Sequence, residues 1–231
     1  MENYKRYAVY YAPREGDFAT KAADWLGWDV ENGCVMAHPS LPLPAEVTRS
    51  VADLTKAPRK YGFHGTIRAP FRPGLNVTVS DIDHRLRDLA QQVPAPRCPA
   101  LQLINLHGFL ALVPDDHGPL DLFGAAVVKA TNDLRAPLTE TEIARRRPNR
   151  LTERQNAALH KWGYPFVMED FGFHLTLTGR LKPHEVAPLA EALDDYFAPV
   201  LPAPFVIEDL CLFGEDDAGR FHLLHRYALA D

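Results

Sequence analysis

The amino-acid sequence predicts an α+β protein built from two pseudo-symmetric β-α-β-β lobes, with antiparallel sheets facing a central cleft and helices outside. An aromatic-Gly-Phe-His-x-Thr segment occurs twice, as YGFHGT at residues 61–66 and as FGFHLT at residues 171–176. Each copy precedes a helical pattern and then two strand patterns joined by a turn. The repeat therefore predicts one bilobal domain, with lobe 1 at about residues 1–115 and lobe 2 at about residues 116–231.

Lobe 1 opens with RYAVYYAP at residues 6–13, which is rich in aromatic and β-branched residues, ends in proline and is predicted to be a strand. A helix is predicted over residues 17–29. The proline-rich stretch that follows predicts a loop with a short helix around residues 45–54. The first motif is then the next strand.

The second part of lobe 1 is predicted to be a helix and a hairpin. Residues 80–93 carry apolar side chains at 82, 86, 89 and 93, a helical spacing, with Ser80 as the expected N-cap and Asp83 three residues later. Residues 100–115 are predicted to form two strands joined at His107 and Gly108.

Lobe 2 repeats this order. A helix is predicted over residues 119–136, followed by a basic segment at 140–166 and the second motif strand. A second helix is predicted over residues 183–200, and two strands around the turn EDDAGR are predicted within residues 204–229.

The composition is that of an ordinary globular protein. Hydrophobic residues make up 46% and charged residues 24% of the 231 residues, which excludes a disordered chain and a coiled coil. No apolar run approaches the roughly 20 residues that cross a bilayer, and the N-terminus MENYKRYAVYYAP lacks the apolar core of a signal peptide. We therefore expect a cytoplasmic monomer that contacts no membrane.

The net charge and the cysteine content limit the classes of ligand that we expect this protein to bind. The formal net charge of −5 lacks the basic excess of proteins that bind long nucleic acid, whereas a small ligand or a short oligonucleotide fits it. Cys34, Cys98 and Cys211 are far apart and odd in number, which argues against a disulfide framework and against a zinc site of the CxxC type. We expect neither a metal nor a cofactor.

The repeated motif places four polar side chains in a pattern suited to phosphodiester chemistry. Residues two apart on a strand share a face, so His64 projects with Thr66, and His174 with Thr176. If the halves pack about a pseudo-twofold axis, both faces meet in the cleft. In-line displacement at phosphorus needs a base and an acid, which one neutral and one protonated imidazole supply, while threonine hydroxyls hydrogen-bond the non-bridging oxygens.

Two further side chains are candidate substrate-binding groups. Arg68 continues the cleft face of the first motif strand by one more alternation and is expected to point into the cleft. Tyr10 is expected to face the ligand, because Ala8 and Ala12 leave space on its side of the first strand.

Other polar residues have two interpretations. Arg145, Arg146 and Arg147 form either a solvated helix face or a group that reaches a second phosphate or a carboxylate. Tyr164 either packs at the loop entry or forms part of a substrate wall. The remaining histidines are expected to be structural; His222 and His225 are three apart on a predicted strand and so face opposite sides.

The paired His-x-Thr strands, the early YAVYYAP strand and the bilobal order resemble the two-histidine (2H) phosphoesterase superfamily, which includes cyclic nucleotide phosphodiesterases and RNA 2′,5′-ligase-like proteins. Five segments are also similar to an uncharacterised branch associated with phosphonate metabolism: WLGWD, YGFHGTIRAPF, ARRRPNRLTERQNAAL, KWGYPF and FHLTLTGRL. The resemblance implies that His64 and His174 are catalytic and that Thr66 and Thr176 bind phosphate.

The leading hypothesis is therefore a metal-independent phosphoric diester hydrolase that acts on a small cyclic or nucleotide-like phosphodiester, in phosphonate metabolism or elsewhere. One alternative is a non-catalytic module that binds phosphate, phosphonate or a nucleotide with the same side chains. Another is a metalloenzyme that uses several of the ten histidines, although the sequence lacks a clustered ligand set.

Overall fold

The computed structural model describes residues 4–146 and 151–230. Their strands are β1 (Arg6–Tyr11), β2 (Trp28–Asp29), β3 (Cys34–Val35), β4 (Gly65–Phe71), β5 (Arg97–Cys98), β6 (Leu101–Leu106), β7 (Phe109–Pro114), β8 (Leu175–Thr176), β9 (Phe205–Val206), β10 (Asp209–Glu215) and β11 (Phe221–Ala228). Their α-helices are α1 (Asp17–Leu26), α2 (Val51–Leu54), α3 (Lys56–Arg59), α4 (Val79–Ala90), α5 (Gly118–Ala130), α6 (Glu140–Arg145), α7 (Glu153–Trp162) and α8 (Pro183–Phe197). Short 3-10 helices lie at Asn132–Leu134, Met168–Asp170 and Ala198–Val200.

The predicted α+β class is confirmed, with antiparallel strands at its centre. A seven-stranded sheet runs in the order β11-β10-β1-β4-β8-β7-β6, and β2-β3 and β5-β9 form two small separate pairs. Every pairing in the large sheet is antiparallel. None of the described helices combines the length and the apolar character needed to span a bilayer.

The hairpins are exchanged between the two halves of this sheet. The hairpin β6-β7 lies beside β8, the second motif strand, and the hairpin β10-β11 lies beside β1, which pairs on its other side with β4. The spatial halves therefore do not coincide with residues 1–115 and 116–231. Helix α4 packs on β10 and β11, and α8 packs on β6 and β7, so the chain crosses the sheet after each helix. Local patterns predicted the order of elements but contain no information about which strands pair.

The two halves are also joined edge to edge, rather than facing each other as separate sheets. Strands β4 and β8 pair only at Gly65 and Leu175. A Cβ atom on Gly65 would lie 2.2 Å from Cζ of Phe173, which is fully buried, so the approach requires glycine at this position. This join brings the two motif strands side by side.

The two faces of β1 pack against different groups of side chains. Tyr7, Val9 and Tyr11 belong to the main hydrophobic core, together with side chains from α1, α4, α5 and α8. Ala8 and Tyr10 belong to a smaller cluster with Trp28, Phe213 and Phe221 on the other face. The alternation along β1 therefore separates the core face from the face that carries Tyr10.

The helix predicted over residues 80–93 begins before the expected position. Its N-cap is Thr78, not Ser80, because Thr78 and Asp81 form a reciprocal capping box: the hydroxyl of Thr78 accepts from the Asp81 N–H at 3.2 Å, and the Asp81 carboxylate accepts from the Thr78 N–H at 2.8 Å. The helix predicted over residues 17–29 ends at Leu26, because Gly27 adopts a left-handed conformation with φ of 77°.

We expect Gly65→Ala to lower the free energy of unfolding by about 1–3 kcal/mol, because the added methyl group overpacks the join against Phe173. Urea denaturation monitored by circular dichroism measures the change. The matched control is Gly172→Ala, where a Cβ atom meets nothing within 4 Å. We expect this variant to lose no stability, and to gain up to about 1 kcal/mol because alanine reduces the conformational entropy of the unfolded chain. Equal stability of both variants would contradict the proposed constraint.

Candidate active site

An open cavity of about 620 Å³ lies at the join of β4 and β8, a size typical of small-ligand sites. His64, Thr66 and Thr176 line it. Strand pairing sets their positions: Thr66 lies opposite Tyr10 of β1, and Thr176 lies opposite Ala111 of β7. Three of the four motif side chains predicted to share a cleft therefore border one cavity.

The two histidines are held by the same local hydrogen bond. Nδ1 of His64 donates to the carbonyl oxygen of Gly62 at 2.9 Å, and Nδ1 of His174 donates to that of Gly172 at 2.8 Å. Because a carbonyl oxygen only accepts, Nδ1 carries the proton in both rings. Nε2 is then left to accept a proton in the neutral ring or to donate one in the charged ring.

His174 does not itself line the cavity. Its ring packs against Phe109, with centroids 5.9 Å apart, and Phe109 does line the cavity. His174 also lies close enough to His64 that its positive charge lowers the pKa of His64. The second imidazole is therefore a neighbour of the first at the edge of the same space.

Burial makes the charged form of both imidazoles unfavourable. Loss of solvent is the largest cause that lowers the pKa of His64, to about 4, and the bond to Gly62 opposes it only in part. The pKa of His174 is also lowered by burial, against the bond to Gly172. At neutral pH the free protein therefore holds a neutral His64.

The threonine hydroxyls are available to a ligand. Thr66 and Thr176 are half-buried, and within the described part of the chain neither hydroxyl has a hydrogen-bond partner. Hydroxyl groups of this kind can donate to the oxygens of a bound anion.

The prediction that Arg68 points into the cleft is wrong. Strand β1 pairs Tyr10 with Thr66 but Val9 with Arg68, so β4 has one extra residue at this point and the alternation of its faces reverses. Arg68 thus follows Val9 to the core side, where it is 1% exposed and donates from Nη1 to the carbonyl of Trp162 at 2.7 Å. Its guanidinium holds the C-terminal end of α7, where the helix dipole favours a cation.

Tyr10 lies on the cleft side of β1 and lines the cavity. Its ring packs against the ring of His64, with centroids 4.2 Å apart and planes at 33°. The residue is 1% exposed, and burial raises the pKa of its hydroxyl well above the ordinary value. Tyr10 therefore fixes one face of the His64 ring while its hydroxyl remains protonated.

The cavity wall is positively charged. Four arginines line it and, among the described residues of the lining, there is no aspartate or glutamate: the arginines are Arg6, Arg145, Arg146 and Arg180. Of the three arginines whose role the sequence left open, Arg145 and Arg146 are in this wall, and Arg147 lies outside the described residues. Tyr164 is also in the wall, with the guanidinium carbon of Arg146 5.6 Å from its ring centroid.

Sequence reasoning missed several residues of the wall, and for two of them a signal was present. Arg6 lies four residues before Tyr10 on β1, and Arg180 lies four residues after Thr176, so each shares the parity of a residue predicted to face the cleft. Tyr61 lies in the turn before the first motif strand, and Phe109 is the first residue of β7 after a turn. Strand parity gives no prediction at such positions.

Within residues 4–146 and 151–230, no three His, Cys, Asp or Glu side chains are grouped so that they could hold a metal ion. His222 bonds through Nε2 to Asp216 at 2.8 Å, which agrees with the structural role expected for it.

Two curated relatives match nearly the whole chain. Both are called ribose 1,5-bisphosphate phosphokinase PhnN. The relative from Janthinobacterium sp. (strain Marseille) is 33% identical over 238 residues, which cover 94% of this chain and 49% of the relative. The relative from Laribacter hongkongensis (strain HLHK9) is 31% identical over 225 residues, which cover 96% of this chain and 51% of the relative. The chain thus spans about half the length of these relatives.

Solved structures of other proteins are more distantly similar. A phosphoesterase has 12% identity and a TM-score of 0.47 over 99% of this chain and 100% of that protein. TT0787 of Thermus thermophilus has 15% identity and a TM-score of 0.47 over 97% of each chain. Escherichia coli LigT complexed with NADP⁺ has 12% identity and a TM-score of 0.44 over 100% of each.

One protein family matches most of the chain. Its description is "Protein of unknown function (DUF1045)", and the match covers residues 66–222, from the threonine of the first motif through the whole of the second. The relatives above match the chain over a still longer range. The chain belongs to the DUF1045 family.

Proposed function

We propose that this protein is a phosphodiesterase that uses His64 and His174 as general base and general acid on a small phosphodiester. One observation supports this most strongly: the same Nδ1-to-carbonyl bond recurs in both motifs and leaves two Nε2 atoms for proton transfer beside one cavity. Two unpaired threonine hydroxyls and a wall of arginines without carboxylates among its described residues suit the anionic group that such chemistry acts on.

His64 is the base in this mechanism. Its pKa of about 4 keeps Nε2 unprotonated at neutral pH, so it can take a proton from the attacking water. The water oxygen forms a bond to phosphorus, and the bond from phosphorus to the leaving oxygen breaks. His174 donates a proton from Nε2 to that leaving oxygen, and the phosphoryl anion favours its protonated form. The two imidazoles thus supply both proton transfers, so the proposed reaction requires no metal ion.

Thr66 and Thr176 bind the phosphoryl group in this mechanism. Each hydroxyl donates to a non-bridging oxygen, where charge is held throughout the displacement. Tyr10 holds the plane of the His64 ring from the side. The roles are those that the resemblance to the 2H superfamily implies for the same four motif residues.

The name of the curated relatives suggests a substrate. The whole sequence contains no Gly-Lys-Ser/Thr segment of a phosphate-binding loop, so we assign the named kinase activity to the part of those relatives that this chain does not match. A phosphodiesterase joined to such a kinase would release ribose 1,5-bisphosphate. Hydrolysis of the 1,2-cyclic phosphate of ribose 5-phosphate does so: water adds to phosphorus, the bond to O2 breaks, and the phosphate stays on C1. A role in phosphonate metabolism is part of the same proposal.

We expect the purified protein to hydrolyse at least one member of a panel of cyclic ribose phosphates and 2′,3′-cyclic nucleotides, and to keep this activity after exhaustive chelation. His64→Ala and His174→Ala should each lower kcat by at least about 100-fold, the low end for a lost acid or base. Thr66→Val and Thr176→Val should each cost about 1.5–3 kcal/mol of transition-state binding, the value of one hydrogen bond to a charged group. Chromatographic quantification of the monoester product measures all four.

The control for these variants is His184→Ala, an exposed histidine on α8 outside the cavity, which should keep full activity. A folded His64→Ala protein with wild-type kcat would contradict the mechanism. Binding of the panel without turnover would instead support a phosphate-binding module.

We expect kcat/KM to be bell-shaped in pH, with its maximum below the ordinary imidazole pKa of about 6.5. Protonation of His64, with a pKa of about 4, removes the base and gives the acidic limb. Deprotonation of His174, whose pKa is also lowered, removes the acid and gives the alkaline limb. Initial rates from the acidic to the neutral range measure the profile.

The single variants separate the two limbs of this profile. Residual activity of His64→Ala should lose the acidic limb, and that of His174→Ala should lose the alkaline limb. A wild-type maximum well above neutrality would show that burial does not control these imidazoles.

A further inference from the structure

Three tyrosine side chains meet in the cavity beside His64. Tyr10, Tyr61 and Tyr164 all line it, and we refer to them as the tyrosine cluster. The ring centroid of His64 is 4.2 Å from that of Tyr10 and 5.6 Å from that of Tyr61. Charge on the Tyr61 phenol would raise the pKa of both Tyr10 and Tyr164, so the three hydroxyls are close to one another.

The hydroxyls of the tyrosine cluster have no hydrogen-bond partner among the described residues, although Tyr10 is 1% exposed. Two tyrosines outside the cavity do have partners: Tyr227 donates to Asp83 at 2.7 Å, and Tyr196 donates to the carbonyl of Lys21 at 3.3 Å. None of the three cluster hydroxyls is among the described buried side-chain atoms that lack a partner, so each is open to the cavity and available to donate to an acceptor bound there. Burial also raises the pKa of Tyr10 and of Tyr164, which keeps both as donors.

The charges beside the cluster favour an anion as that acceptor. Arg146 donates to the backbone carbonyls of Gly163 and Pro70, and among the described residues no carboxylate pairs with it. Arg6 is paired with Glu215 at 2.5 and 2.7 Å, and that carboxylate does not line the cavity. A neutral sugar or amide would bring donors as well as acceptors, whereas a phosphate monoester brings three oxygen acceptors and negative charge.

We propose that the tyrosine cluster and Arg146 form a second subsite, which binds the monoester phosphate of a substrate whose phosphodiester lies at the two histidines. The inference rests on the proposed function and names its substrate class: cyclic phosphodiesters of a sugar or nucleoside that also carry a terminal phosphate. Tyr10 adjoins both subsites, because its ring contacts His64 and its hydroxyl belongs to the cluster. The two phosphates of one small molecule can therefore be held side by side.

The first test compares a matched pair of substrates, ribose 1,2-cyclic phosphate with and without a 5-phosphate. Wild-type protein should have the higher kcat/KM for the 5-phosphorylated member. Tyr61→Phe and Tyr164→Phe keep the rings and remove only a hydroxyl, and each should lower the ratio of the two kcat/KM values by at least about tenfold. Tyr196→Phe, which removes a hydroxyl outside the cavity, is the matched control and should leave the ratio unchanged. A wild-type ratio near one, or an equal loss for both substrates, would overturn the subsite.

The second test does not depend on turnover. Calorimetric titration of the wild-type protein with ribose 5-phosphate should show binding that Tyr61→Phe and Tyr164→Phe each weaken at least about tenfold. If no diester is hydrolysed but this binding is found, the phosphodiesterase proposal fails and the subsite stands. If diesters are hydrolysed but ribose 5-phosphate does not bind, the subsite fails alone. Binding of adenosine as tight as that of ribose 5-phosphate, and unchanged in both variants, would show a stacking surface instead and overturn the proposal.

Discussion

The candidate site depends on one close approach, that of Gly65 on β4 to Leu175 on β8. The two hairpins form the outer ends of the sheet, and the two motif strands pair with each other at its centre. Phe173 fills the space that a side chain at Gly65 would occupy. This explains why the residue between histidine and threonine is glycine in the first copy of the motif, at Gly65. The first copy leaves space there, and Phe173 of the second copy occupies that space.

The same packing sets the electrostatics of the histidines. Residues on either side of each imidazole are buried, so the ring loses solvent while its Nδ1 keeps a carbonyl partner two residues earlier. Burial outweighs the hydrogen bond and lowers the pKa of both rings. For His64 the folded-state pKa of about 4 lies below the unfolded value of about 6.5. The unfolded chain therefore binds this proton first as the pH falls, and the fold loses stability as the pH decreases between those two values.

The sequence predicted those features that depend on local alternation and spacing. The alternation of side chains along β1 correctly placed Tyr10 and Val9 on opposite faces of the strand. The turn at His107 and Gly108 was also predicted, together with its two strands. Parity failed at Arg68 because an extra residue in β4 turns this side chain to the core, and a bulge has no signature in a single strand. The exchange of hairpins could not be predicted either, because local patterns in the sequence do not show which distant strands pair.

The net charge of the whole chain and the charge of the cavity wall have opposite signs. The chain as a whole carries a formal charge of −5, yet the described wall of the cavity contains four arginines and no carboxylate. A concave wall of this kind concentrates positive potential at the place where an anion would bind. This contrast between the net charge and the cavity wall supports the proposed small phosphate ester as the ligand.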